Sequence, residues 1–72
     1  MDNEKRYIAH NLRTLRREKG ISIGGLAKSV KLSESTISNI ENEVTHQHQI
    51  DTIVILSKFF NVDVHDFIYK KF

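Results

Sequence analysis

Residues 22–42 read Ser22-Ile-Gly-Gly-Leu-Ala-Lys-Ser-Val-Lys-Leu-Ser-Glu-Ser-Thr-Ile-Ser-Asn-Ile-Glu-Asn42, a pattern in which a serine is twice followed by apolar residues at helical spacing. A serine side chain ahead of such a run accepts a hydrogen bond from a free N–H of the first turn, so Ser22 and Ser33 are expected N-caps. After Ser22, the shared face of Leu26, Ala27 and Val30 predicts a helix from about Ile23 to Ser29. After the turn Val30-Lys31-Leu32, Ile37 and Ile40 face inward. Glu34, Ser35, Ser38 and Asn39 then form a polar outer face, and the helix ends near Asn42. Gly24 and Gly25 weaken the first of these helices by about 1 kcal/mol each relative to alanine, so something here requires small residues or tolerates the loss.

Working outward, Ile8, Leu12 and Leu15 fall at i, i+4 and i+7 among Arg, Lys and Glu, which predicts a helix from about Asn3 to Lys19. Gly20 stops it, since glycine readily takes the left-handed conformation that ends helices. Beyond the polar loop Glu43 to Gln49, a fourth helix runs from about Gln49 to Phe60 with Ile50, Ile53, Val54, Leu56 and Phe60, closed by Asn61. Asp63 caps a short fifth helix containing Val64, Phe67 and Ile68. With no proline and three glycines in 72 residues, the expected fold class is all-α, a compact five-helix bundle forming a single domain over 1–72.

A domain of this size buries only about 60% of the surface its unfolded chain exposes, which leaves little volume for a substrate cavity and favours function at the surface. Without cysteine, disulfides and thiolate metal sites are excluded, and a reducing cytoplasm is the expected location. No apolar run approaches the roughly 18 residues that span a membrane, and the start of the chain lacks the apolar stretch of a signal peptide. The net charge is only +2 but is unevenly placed: residues 1–31 carry eight Lys/Arg against three Asp/Glu, whereas residues 32–69 carry one against six.

Residues 22–42 resemble the core of the lambda repressor-like (Xre-type) helix-turn-helix family, with Leu26, Ala27, Val30, Leu32, Ile37 and Ile40 at its fixed apolar offsets. Leu15-Arg16-Arg17-Glu18-Lys19-Gly20 is similar to the end of that family's first helix, and Ile50-Asp51-Thr52-Ile53 through Phe67 to its last two. The likeness covers roughly residues 6–68. It implies a partner, double-stranded operator DNA, with the third helix in the major groove and the second crossing the backbone. By position, Glu34, Ser35, Ser38 and Asn39 would read bases: Asn can bond adenine bidentately and Glu can accept from cytosine. Ser22 and Ser33 would meet phosphates at the positive ends of two helix dipoles. Thr36, Asn42, Thr45, His46, Gln47 and His48 would extend those contacts, with Lys28 and Lys31 beside them. The resemblance also implies a structural ion pair between Arg16 and Glu41, Arg16 being free to share its fork with a phosphate.

The chain departs from the family in informative ways. Many relatives start the second helix with a glutamine that bonds a phosphate and steers a base-reading side chain; here that residue is Ile23, and the usual polar pair after it is Gly24-Gly25. No Lys or Arg occurs between Lys31 and Lys58. Phosphate attraction supplies much of nucleic-acid affinity, so a single domain is expected to bind weakly. Dimerisation would compensate. Ile55, Phe59, Ile68, Tyr69 and Phe72 form a candidate apolar interface in the region 50–72, and a two-fold dimer would set two recognition helices about 34 Å apart, matching a palindromic operator.

Plainer readings stand beside these. Ile55 and Phe59 could be ordinary core residues, the polar face of the third helix a solvated surface, and Arg13, Arg16, Arg17 and Lys19 the solvated face of the first. His46 and His48, at i, i+2 in a loop, are poor metal ligands without a third partner, so no metal or other cofactor is expected. Nothing resembles a nucleophile turn or an oxyanion cradle, so no catalytic residue is assigned. The expected function is a sequence-specific DNA-binding transcriptional regulator, a repressor acting as a homodimer. The alternative is a protein-interaction module on the same fold whose main partner is another protein.

Overall fold

The computed structural model describes residues 6–43 and 50–72. Among these residues there are five helices and no strand: α1 (Ile8–Lys19), α2 (Ile23–Val30), α3 (Glu34–Glu41), α4 (Ile50–Phe59) and α5 (Val64–Tyr69).

Most helix ends have a chemical cause visible in the sequence. Ser22 Oγ accepts from Gly25 N at 2.9 Å and Ser33 Oγ from Thr36 N at 3.0 Å, each satisfying one of the free donors of a first turn. Asp63 does the same for α5, its Oδ1 taking His65 N at 2.8 Å and Asp66 N at 3.3 Å. Gly20 closes α1 at φ 69° and Asn61 follows α4 at φ 57°, both in the left-handed region. Lys31 closes α2 at φ 60°, a position where a side chain costs energy that glycine would not.

The start of α1 differs from expectation. Asn3 lies outside the described residues, and the described chain enters the helix only at Ile8, after Tyr7 at φ −120°, ψ 23°. Tyr7 N donates to Ile68 O at 2.6 Å, so the backbone at this point is committed to α5.

Leu12, Leu26, Ile37, Leu56 and Phe67 are fully buried, and Ile8, Ala27, Ile40, Ile53 and Phe60 complete the core. Each large side chain taken out of water contributes about 1.5–3 kcal/mol. α1 packs on α3 and α5, α2 on α3, and α4 on both α2 and α5. Leu15 and Val30 pack only partly buried against this core. Ile50, at the first position of α4, is left 64% exposed.

Candidate nucleic-acid interface

With Ile37, Ile40 and Glu41 buried beneath α3, the 3.6-residue period turns Glu34, Ser35, Ser38 and Asn39 outward together. Glu34, Ser35 and Asn39 are exposed and Ser38 is half-buried. Ser38 Oγ accepts from Asn42 Nδ2 at 3.2 Å, which ties the outer face to the end of the helix. The α3 cap carries a second hydroxyl contact, Ser33 Oγ to Thr36 Oγ1 at 2.8 Å. Ser22, Lys28, Lys31, Ser33 and Asn42 are all exposed and Thr36 half-buried. Thr45, His46, Gln47 and His48 lie outside the described residues.

α3 is anchored from below by charge. Arg16 Nε donates to Glu41 Oε2 at 2.6 Å and Nη2 to Oε1 at 3.1 Å, while Nη1 donates to Ile21 O at 2.9 Å. The two-pronged contact pulls α1, the α1–α2 turn and the end of α3 onto one guanidinium. The hydrogen bond that Arg16 donates to Glu41 raises the Arg16 pKa, desolvation opposes it, and the Glu41 charge adds to the rise. Arg16 therefore stays charged at every pH at which a protein works: a raised pKa keeps its contribution intact below the ordinary arginine value and loses it only above. With its side chain 14% exposed and each nitrogen of the fork already donating, Arg16 is chiefly a structural group.

Both glycines of α2 have a neighbour that a side chain would crowd. A Cβ on Gly25 would stand 3.2 Å from Ser22 Oγ, the atom that caps the helix, and a Cβ on Gly24 would stand 3.1 Å from Glu34 Oε2.

The helix-turn-helix family matches residues 12–67, spanning α2, α3 and nearly all of their supports. The chain belongs to the lambda repressor-like helix-turn-helix family. Its structure is similar to that of the N-terminal DNA-binding domain of SinR from Bacillus subtilis, at 28% identity and TM-score 0.79 over 85% of this chain and 88% of that one. It is also similar to the master regulator for biofilm formation SinR in complex with DNA, at 28% identity and TM-score 0.77 over 83% of this chain and 95% of that one. No curated protein matches the chain. Family and fold are those of DNA-binding regulators, not of enzymes. Among the described residues, no helix is long and apolar enough to cross a membrane.

Two residues of this helix-turn-helix domain escaped the sequence reading. Asn11, on the apolar face of α1 beside Leu12, is fully buried and hydrogen-bonded to the backbone of α5 and beyond. Arg13, for which a solvated face was the plainer alternative, donates from Nη2 to Glu41 O at 2.5 Å and so covers the carbonyl end of α3. A polar residue on the buried stripe was the available signal for Asn11. For Arg13 there was none, because its partner lies on another helix.

The apolar C-terminal residues divide. Ile55 is exposed. Phe59, Ile68 and Phe72 are partly buried against the core. The Phe59 ring meets Phe60 edge-on at 5.0 Å, with Lys19 Nζ 5.5 Å from its centroid. Phe72 is held to α1 through its N–H, given to Asn11 Oδ1 at 3.0 Å, and its carbonyl, bonded to His10 Nε2 at 2.9 Å. Tyr69 is half-buried, with its ring centroid 4.8 Å from that of His65 and the two planes tilted by 47°. Asp63, His65 and Asp66 bring potential ligand atoms within 4.8 Å of one another, but Asp63 is already engaged as the α5 cap.

Proposed function

We propose that this domain is a sequence-specific DNA-binding transcriptional regulator of the cytoplasm, acting as a repressor that occupies a palindromic operator as a homodimer and excludes polymerase. The observation that carries the reading is the outward polar face of α3, flanked by two serine-capped helix N-termini. Asn39, Ser35 and Ser38 have the donors and acceptors to read base edges in the major groove. Ser22 and Ser33, with the free N–H groups of α2 and α3, suit phosphate oxygens, and Lys28 and Lys31 add positive charge beside them. Repression by steric occupancy is taken from family analogy alone; DNA binding is supported by the likeness to SinR, a regulator solved in complex with DNA.

A dimer is proposed because α3 carries no Lys or Arg, so that one domain neutralises few phosphates, and two half-sites compensate for weak single contacts. Ile55 and the neighbouring edge of Phe59 are the proposed contact. The same basic deficit favours the second reading, a module whose main partner is another protein.

Selection from random-sequence duplex DNA at low salt, with the wash repeated at higher salt, separates these. Enrichment of a palindrome is expected. Retention without enrichment would reduce the function to electrostatic binding, and no retention would leave the protein-interaction module.

A further inference from the structure

Gly24 and Glu34 stand on different helices, and the carboxylate of Glu34 lies close to where a side chain at position 24 would begin. A Cβ at position 24 would lie 3.1 Å from Glu34 Oε2, 3.4 Å from its Cδ and 3.7 Å from Oε1, so a side chain there would crowd the carboxyl group. α2 has no acidic residue in its own first turn, and Glu34 is the first residue of α3. The carboxylate of the residue that opens α3 therefore lies beside the first turn of α2. An exposed glutamate samples several rotamers, and a glycine at position 24 leaves room for the one in which the carboxylate lies against α2.

We propose that Gly24 is a specificity-determining residue that acts through Glu34, holding its carboxylate in a single orientation as a preset acceptor for one base of the half-site. This rests on the DNA-reading function proposed above. Gly24 is a positioning residue: it offers DNA no side chain, and its effect passes through Glu34. Cytosine, whose exocyclic amine donates into the major groove, is the base that a fixed carboxylate accepts. A methyl group at position 24 would press on this carboxylate and require it to shift by a few tenths of an ångström.

The test is selection from random duplexes with four proteins: the native chain, Gly24→Ala, Glu34→Ala and the double variant. Gly24→Ala is expected to relax discrimination at one base pair per half-site on the order of tenfold, within the range that one good base contact supplies. Glu34→Ala is expected to relax the same base pair, and Gly24→Ala is expected to add nothing in its absence. Alanine raises the helix propensity of α2 in either background, so a merely structural effect would appear in both. Unchanged or sharpened discrimination in Gly24→Ala, or an equal change with and without Glu34, overturns the proposal while leaving DNA reading intact. Failure of the native chain to enrich any sequence overturns the DNA-reading function itself, and the role of Gly24 with it.

Discussion

The buried side-chain amide of Asn11 in α1 donates to the main-chain carbonyl of Phe67 in α5, 56 positions away, at 2.7 Å. The same Nδ2 reaches Lys70 O at 2.6 Å, and Oδ1 accepts from Phe72 N. One asparagine therefore satisfies three backbone groups where α5 ends, and no buried side-chain nitrogen or oxygen among the described residues is left without a partner. A buried polar group so arranged is favourable only while its partners remain.

Asn11→Leu keeps the bulk but strands those three groups. The expected loss is about 2–4 kcal/mol by urea unfolding, taking 1–3 kcal/mol for each group left unpaired and discounting those only part-buried. Faster amide exchange in α5 should accompany it. A loss below about 0.5 kcal/mol would show that the clamp contributes nothing net.

Arg16→Ala leaves the Glu41 carboxylate, 5% exposed, without its principal counter-charge. Breaking a buried pair from one side costs about 3–5 kcal/mol, which in a domain this small lowers the midpoint of thermal unfolding by at least roughly 12 °C. Glu41→Ala should act similarly. The double replacement is expected to cost less than the sum, and additivity in that cycle would deny the coupling.

Lys31→Gly separates stability from binding. Glycine relieves the left-handed strain at φ 60° and is expected to stabilise the fold by about 1 kcal/mol. If Lys31 meets a phosphate, the same change weakens binding to all sequences alike and reduces the salt slope by about 1. A variant that gains stability and keeps its full salt dependence would remove Lys31 from the phosphate contacts.

Asn39→Ala should lower discrimination at one base pair by about 1–3 kcal/mol without changing the salt slope. Unaltered preference in competition binding would end its assignment as a base reader.

For the dimer, Ile55→Glu is the cleaner probe, because Ile55 is 38% exposed whereas Phe59 packs on Phe60 and under Lys19. A folded monomer is expected by analytical ultracentrifugation. A dimer persisting at low micromolar concentration would place the interface elsewhere.

How much of this was legible beforehand depends on how far apart in the chain the deciding residues lie. Caps, stops and apolar spacing act over four residues or fewer. Ser22, Ser33, Asp63, Gly20 and Asn61 thus marked helix ends directly, and the periodicity around Leu12, Leu26, Ile37 and Phe67 marked the core. The Arg16–Glu41 pair came from the family likeness, since no local rule joins residues on α1 and α3.

By itself, the sequence determined the order of five helices, the serine-capped pair at their centre and the polar residues that α3 turns outward, because each follows from backbone hydrogen bonding and the 3.6-residue period. The tertiary structure alone decided that Asn11 closes α1 onto α5, that Arg13 covers the end of α3, that the Glu34 carboxylate lies beside Gly24, and that Ile55 is exposed while Phe59 is half-covered. These relations depend on the angles and distances at which separate helices pack, and those are set by the whole core at once.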